Sequence, residues 1–306
     1  MTTNTSQTRI GYVVESTYGT TPATPTIQTL RMTGEGFTPS LQYITSDEIR
    51  ADRNIPDLIL AGSEAKGSLD VELSYGSFDA LLESLLYSSF SANVLKNGVT
   101  QSSMTIEKTF EAGATDQYHR FTGCIVDTLD LTIAARQIVK GKFGFNAAGM
   151  TSAQTAIAGA TYTAVNANPV INAAANFASL SMTGISSPAI TNLNLKISNN
   201  LRSQPVIGSV NSRAVGAGSF VVTGSLDAYF ETNDMYDLYL AGTATNLAFT
   251  IGGSGTKNYA FSLGNVKFSD GKVLADSANK DVMAQMSFQA LYYPTDTATL
   301  KITRTP

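Results

Sequence analysis

The chain has 306 residues, of which 43% are hydrophobic and only 14% are charged, and its formal net charge is −4 at pH 7. A typical soluble protein has about 25% charged residues, so we expect much of this surface to be covered by other molecules. The negative balance argues against a nucleic-acid-binding protein, which needs clustered cations to replace phosphate counterions. The length allows two domains, and the apolar content is enough for a core in each.

Neither a secretion signal nor a membrane span is recognisable in the sequence. Residues 1–9 lack the basic and then apolar pattern of a signal peptide, and no apolar run approaches the roughly 18 residues that a membrane helix needs. Cys124 is the only cysteine, which excludes a disulfide within the chain and predicts a buried thiol. We therefore expect a protein that is made in a cytoplasm and either stays soluble or assembles.

The densest mixed-charge cluster lies at residues 45–53, after a turn-rich N-terminal segment and a short strand predicted at residues 30–34. Its charged residues are Asp47, Glu48, Arg50, Asp52 and Arg53. Because charges are scarce elsewhere, two interpretations stand side by side. The cluster is either a solvated loop or an extended contact loop whose side chains pair with another copy of the chain.

Residues 67–86 predict a strand that leads into a helix. Residues 67–75 alternate between apolar and polar side chains, with Asp70 and Glu72 on the polar face, which is the period of a half-buried strand. Residues 78–86 carry apolar side chains three and four positions apart, which is the stripe of an amphipathic helix. Ser77 is the predicted N-cap of that helix, and Asp79 suits its first turn.

Further strands are predicted at residues 118–123, 125–133 and 137–146. From residue 143 to residue 195 the chain contains no Asp, Glu, Lys or Arg. A disordered linker usually carries charge or a Pro and Gly bias. We therefore expect this segment to be covered by another subunit or laid along the protein surface.

Four sequence markers recur in the same order in the two halves of the chain. Residues 30–34 match residues 180–184, residues 67–70 match residues 224–227, Asp79 matches Asp237, and residues 139–147 resemble residues 282–290. The second copy predicts a strand at residues 224–231, with Asp227 and Glu231 on its polar face, and a helix from Asn233 to Gly242. The shared order indicates an internal duplication. It predicts domains at residues 1–150 and 151–306, joined by an uncharged connection at about residues 148–179.

No catalytic, metal or cofactor site is recognisable. His119 is the only histidine and has no partner for a triad or a metal site, and the glycine-rich residues 252–255 fit a hairpin turn better than a phosphate loop. The carboxylates Asp227 and Glu231, four residues apart on a strand, lie roughly 13 Å apart, which is a poor catalytic spacing. We predict no enzyme and no cofactor. As an acidic surface repeated in both domains, the strand carboxylates make more sense.

Eight stretches, taken in order, resemble the major tail tube proteins of long-tailed, siphovirus-like bacteriophages in their duplicated form. They are residues 15–22, 45–50, 67–86, 200–204, 220–230, 240–242, 281–292 and 300–303. The resemblance implies an all-β fold with minor helical content. It implies two similar β-sandwich or barrel-like domains, each with one short flanking α-helix.

The resemblance also implies a function. Copies of such a structural virion protein form rings, the rings stack into a hollow tail tube, and the inner sheets of neighbours join into one barrel around the lumen. The implied partners are other copies of the chain, the tape-measure protein and the tail-tip and terminator proteins, while ejected DNA passes without specific binding. The protein would assemble in the host cytoplasm, become part of the virion tail and contact no membrane.

Two domains in one chain lead us to expect trimeric rings with pseudo-six-fold symmetry, with hexameric rings as the second choice. The cluster at residues 45–53 is the candidate for ring stacking. The candidates for an acidic lumen wall, which would repel DNA phosphate, are Asp70, Glu72, Asp227 and Glu231, although these side chains could equally face the outer solvent.

Two alternative functions remain from the sequence. One is a secreted or surface all-β protein such as an adhesin or S-layer domain, which should show a secretion signal or anchor. The other is a carbohydrate-binding module, which usually presents exposed aromatic side chains, often Trp. The chain has no Trp.

Overall fold

The computed structural model describes residues 4–111, 113, 115–186, 188–275 and 277–306. A short 3-10 turn at Thr5–Gln7 precedes the first strand. The first half then contains β1 (Thr8–Val14), β2 (Thr26–Thr29), β3 (Gly34–Glu35), β4 (Thr38–Thr45), β5 (Leu58–Glu72), α1 (Asp79–Leu86), β6 (Val94–Lys96), β7 (Met104–Phe110), β8 (Gln117–Ala134), β9 (Lys140–Ala147) and β10 (Gly149–Ala153).

The second half contains a similar series of elements. They are β11 (Thr161–Tyr162), β12 (Phe177–Ser181), β13 (Ile190–Ser198), β14 (Arg202–Gln204), β15 (Ala214–Gly216), β16 (Val221–Tyr229), α2 (Asp234–Ala241), β17 (Thr245–Gly252), β18 (Asn258–Leu274), β19 (Met283–Ala290) and β20 (Lys301–Thr305). The all-β fold with minor helical content is thus confirmed.

A central antiparallel sheet runs through both halves. Its eight strands lie in the order β4–β5–β9–β8–β13–β16–β19–β18. The two halves meet where β8 pairs with β13, with Asp130 directly opposite Lys196. In β13 and the second part of β8, apolar side chains point to one face and polar side chains to the other, as the period of two requires.

Two long strands carry the chain from the central sheet into outer sheets. The first part of β8 pairs with β7 and β10, and the first part of β18 pairs with β17 and β20. In β8 the change of sheet falls near Gly123, whose φ of 64° suits glycine. The outer and central sheets pack face to face: Phe37 lies 5.3 Å from Phe121 and 5.2 Å from Phe145 between ring centroids. This is a β-sandwich.

The pairing order of the first half recurs in the second. β5, β9, β8 and β7 pair in sequence in the first half, and β16, β19, β18 and β17 do so in the second. At the flanks, β4 pairs with β5 as β13 pairs with β16, and β10 pairs with β8 as β20 pairs with β18. Each half also places one helix after the strand that carries the repeated Gly-Ser-Leu-Asp.

The repeated glycines have a shared packing reason. A Cβ atom on Gly67 would lie 2.0 Å from the ring of Phe37, and one on Gly224 would lie 2.4 Å from the ring of Phe288. Both distances are far below van der Waals contact, so each position requires a residue without a side chain. An aromatic ring therefore covers the backbone at the repeated glycine in both halves.

The two helices match their sequence predictions with one correction. Ser77 is not the N-cap of α1: that position is Phe78, and the Ser77 hydroxyl instead bonds the Ser74 hydroxyl at 2.6 Å. Asn233 holds the predicted N-cap position of α2, although its side chain makes no capping hydrogen bond, and Gly242 ends the helix in the left-handed conformation with a φ of 60°, as predicted.

Residues 148–173 of the uncharged segment lie along the first half of the same chain, on the protein surface, which is one of the two expected positions. Its strand β11 pairs in parallel with β2. Further along, the Ile171 amide donates to the Leu73 carbonyl at 2.8 Å. The Arg31 guanidinium donates to the carbonyl of Asn168 at 2.5 Å. Hydrogen bonds to its backbone therefore hold this uncharged segment against the first half.

Candidate assembly surfaces

The polar face of the central sheet holds three of the four predicted lumen residues. Asp70 and Glu72 lie on β5 and Asp227 lies on β16, with their side chains on the same face. Glu231 follows the end of β16 and is exposed outside the strand. The sheet thus brings together Asp70, Glu72 and Asp227 but not Glu231.

Lysines stand opposite two of these carboxylates. Across β5 and β9, Asp70 faces Lys142 and Glu72 faces Lys140. The Lys142 Nζ lies 3.0 Å from the Asp70 Oδ1. Asp227 instead accepts a hydrogen bond from the side-chain amide of Asn192 at 3.2 Å. Sequence reasoning missed these lysines because their positions depend on strand register, although their alternation in residues 139–147 was a usable signal.

The predicted stacking cluster forms the tip of a long hairpin made by β4 and β5. Its five charged residues, Asp47, Glu48, Arg50, Asp52 and Arg53, are all exposed. The Arg50 guanidinium donates to both Asp52 carboxylate oxygens, at 3.1 Å and 3.0 Å. This hydrogen bond from Arg50 lowers the pKa of Asp52 to about 2. Within one chain, therefore, two members of the cluster, Arg50 and Asp52, already pair with each other.

Apolar side chains are exposed along the same hairpin, and sequence reasoning missed them. Ile49 is 99% exposed and Ile55 is 74% exposed at the tip, while Ile44 and Ile59 are more than half exposed on the paired strands. The strand β5 also begins at Leu58, nine residues before the predicted start at residue 67. Exposed apolar area of this extent marks an interaction surface.

Unpaired strand edges lie at both ends of the central sheet. In the part of the chain that the structure describes, β4 pairs only with β5, and residues 267–274 of β18 pair only with β19. Each free edge is eight residues long. Such edges are templates for pairing with another chain. Because the eight strands alternate in direction, the β18 edge of one copy would meet the β4 edge of another antiparallel.

A buried carboxylate fixes the loop in the first stretch of the family resemblance. Glu15 is 8% exposed. It accepts hydrogen bonds from the hydroxyls of Ser103 and Thr105 at 2.7 Å and 2.8 Å, and from the amides of Gly19 and Gly123 at 2.8 Å and 2.9 Å. Four donors compensate the cost of burying its charge. Glu15 therefore ties this loop to β7 and to the bend of β8.

A polar cluster joins the two halves beside α1. The Asp79 carboxylate accepts hydrogen bonds from the Tyr259 hydroxyl of β18 and, at 2.6 Å, from the Arg304 guanidinium of β20. That guanidinium also lies 4.3 Å from the centroid of the Phe90 ring. Burial, followed by the Asp79 charge, raises the pKa of Tyr259. Asp79 therefore joins the first helix to the last strand of the chain.

Cys124 and His119, the two side chains that could be reactive, are packed against other parts of the protein. Cys124 is fully buried, as predicted, and burial raises the pKa of its thiol. His119 packs edge-on against the Phe110 ring at 5.1 Å, and burial with the nearby Lys108 lowers its pKa. Among the described residues, no cluster of three His, Cys, Asp or Glu could hold a metal ion. No helix in that part of the chain is long and apolar enough to cross a membrane.

The comparisons with known proteins bear on the family of the chain. A family described as phage tail tube protein matches residues 5–290, nearly the whole chain. No curated protein matches the chain at a significant level. A family match of this extent favours this family over the adhesin and carbohydrate-binding alternatives. The chain belongs to the phage tail tube protein family, which makes it a structural component of the virion tail.

Proposed function

We propose that the chain self-assembles into rings that stack into the hollow tail tube through which DNA is ejected. The observation that carries this proposal is the pair of free edges at the two ends of one continuous sheet. Pairing β18 of one copy with β4 of the next would remove both edges and continue the sheet around a ring. Tape-measure, tail-tip and terminator proteins are the further partners that such a tube requires.

The junction between the halves is a template for the junction between copies. We propose that residues 1–150 and 151–306 are two tail-tube domains, since β8 and β18 hold equivalent places in the repeated pairing order, as do β4 and β13. Inside the chain, β8 pairs with β13. The equivalent pairing between copies is therefore β18 with β4, so each chain would contribute two of six similar junctions to a trimeric ring.

Sheet geometry favours three chains over six. Three chains contribute 3 × 8 = 24 strands. With strands about 4.8 Å apart and tilted by about 40°, a closed barrel of that size has a backbone radius of about 24 Å. Six chains would double the radius and leave a channel far wider than a DNA duplex needs. We therefore propose trimeric rings with pseudo-six-fold symmetry.

The internal junction also supplies a register that can be tested. Asp130 faces both Lys142 and Lys196. Lys272 holds the place of Asp130 in the second copy, since it faces Gln285, the equivalent of Lys142. Thr38 holds the place of Lys196, since it faces Lys66, one residue before the first repeated glycine. Lys272 of one copy should therefore lie opposite Thr38 of the next.

Cysteines at these two positions test the proposal. Directly opposed residues in an antiparallel pair have Cα atoms about 4.5–5.5 Å apart, within the range of a disulfide. We expect Thr38→Cys with Lys272→Cys to form covalent trimers on oxidation, because the third bond closes the ring and the only native cysteine is buried. Thr38→Cys with Asp47→Cys is the control. Electron micrographs without tubes would refute self-assembly, and covalent hexamers would refute the trimer.

The hairpin tip is our proposed stacking contact between successive rings. Its charged residues, Asp47, Glu48, Arg50, Asp52 and Arg53, lie beside the exposed Ile49 and Ile55. We expect Arg50→Glu to give free rings, because it destroys the Arg50–Asp52 pair and reverses a charge at the tip. The control is Lys257→Glu, which makes the same change of charge at an exposed turn between β17 and β18 that is not equivalent to the tip. Full-length tubes of the Arg50→Glu variant in negative stain would rule out this role for the tip.

A further inference from the structure

The polar face of the central sheet carries a row of alternating charges that crosses four strands. Asp70 on β5 faces Lys142 on β9, Lys142 faces Asp130 on β8, and Asp130 faces Lys196 on β13. The row continues through uncharged side chains to Lys267 on β18. We call the four charged residues on the first four of these strands the charge row: Asp70, Lys142, Asp130 and Lys196.

The charge row is too exposed to be explained by stability. The Lys142 and Asp70 side chains are 53% and 42% exposed, and their charged atoms are 3.0 Å apart. Lys196 and Asp130 are 63% and 47% exposed and 4.0 Å apart. Exposed pairs of this kind contribute between zero and about 1 kcal/mol. Their larger effect is on the potential above the sheet, where neighbouring opposite charges about 4.8 Å apart cancel.

The whole polar face is close to neutral. Where the strands of the central sheet pair, its lysines are Lys66, Lys140, Lys142, Lys196, Lys267 and Lys272. Its carboxylates are Glu64, Asp70, Glu72, Asp130, Asp227 and Asp270. Six positive and six negative charges leave a net charge of zero. The face is therefore not an acidic wall of Asp70, Glu72 and Asp227, because the strand register places a lysine opposite Asp70 and another opposite Glu72.

We propose that this face is a charge-compensated surface fitted to a polyanion that must pass without binding. This inference rests on the proposed function and on the polar face lining the channel, because the outer sheets cover the apolar face and leave the polar face open. A lysine held opposite a carboxylate offers a DNA phosphate little net attraction, so it releases few counterions on contact. A purely acidic wall would instead repel the polyanion. The charge row gives a surface that neither retains nor excludes DNA.

Removing the carboxylates of the charge row tests the proposal. Asp70→Asn with Asp130→Asn leaves Lys142 and Lys196 without their opposed charges. A short DNA duplex at 50 mM salt should then bind about tenfold tighter, with a steeper salt dependence equivalent to about two more phosphate contacts. The control, Glu231→Gln with Asp237→Asn, changes the net charge of the chain equally but at exposed positions outside the central sheet and outside the hairpin tip. Equal binding by the two double variants would overturn the compensation.

Two further measurements separate this inference from the proposed function. Electron microscopy of the Asp70→Asn, Asp130→Asn variant should show ordinary tubes, because both side chains are exposed and outside the free edges. Binding is then measured on free protomers and on assembled tubes with open ends. Tighter binding by both supports the proposal. Tighter binding by protomers alone would mean that the face does not line an open channel, and it would overturn the inference even if tubes form.

Discussion

The two halves repeat one topology but bury their helices differently. Five residues of α1 are buried, whereas α2 buries only Met235 and leaves Leu240 66% exposed. Part of the difference lies outside the helices: α1 packs on β8 and β6, and the last strand, β20, pairs with β6 beside it. A repeated sequence pattern therefore fixes where a helix forms, while its burial depends on what the rest of the chain lays over it.

Truncating one leucine in each helix should give the largest difference in the free energy of unfolding between the two halves. Leu85 is fully buried in α1 and Leu240 is exposed in α2. We expect Leu85→Ala to lower the free energy of unfolding by about 3 kcal/mol, through lost burial and a cavity. Leu240→Ala should change it by less than about 0.5 kcal/mol. Urea denaturation of the two variants measures both, and similar values would show that the helices are equally buried in solution.

Breaking the polar cluster beside α1 should have the next largest effect. Arg304→Ala removes the guanidinium from Asp79 and from the Phe90 ring. Because the pair is partly exposed, we expect a loss of about 1 to 2 kcal/mol in the free energy of unfolding. The comparison variant is Arg202→Ala, since Arg202 is exposed and makes one long hydrogen bond of 3.4 Å to the Ala217 carbonyl. Equal losses would mean that β20 is not fastened to α1 through Arg304.

The sequence was enough for the features that depend on local pattern. Alternation predicted the second part of β5, helical spacing predicted α1 and α2, and glycine chemistry predicted the turn between β17 and β18. The repeat of four markers predicted which elements would recur. These features depend on neighbours in the chain, so a single sequence contains the information.

The missed features depend on contacts between distant residues. The first part of β5 was not predicted because residues 58–66 lack the alternation of a half-buried strand: the hairpin is exposed on both faces. The lysines of the charge row could not be placed opposite carboxylates without the register of β9. Three of the four donors around Glu15 lie outside its loop, between 88 and 108 positions further along the chain. Tertiary pairing alone brings such groups together.

Alkaline pH offers a smaller test of the contact between the halves. The pKa of Tyr259 is raised above its ordinary value of 10.0 by burial and by Asp79. Its neutral form stabilises the fold fully below pH 10, and this contribution is lost as pH rises, because the unfolded chain ionises first. We expect the free energy of unfolding to fall less steeply above pH 10 in Tyr259→Phe than in wild type. Tyr292→Phe, at an exposed tyrosine, is the control, and identical slopes in all three proteins would refute the contact.

The smallest effect should come from the hairpin tip, where the two halves differ in charge. The equivalent connection of the second half, residues 199–220, carries only Arg202 and Arg213 as charged residues, so an internal pair such as Arg50–Asp52 is confined to the first half. An NMR titration should place the pKa of Asp52 at about 2, and Arg50→Gln should return it toward the ordinary value of 3.8. Both side chains are exposed, so the free energy of unfolding should not change with this substitution. An Asp52 pKa that is the same in both proteins would mean that Arg50 is free in solution and available to another ring.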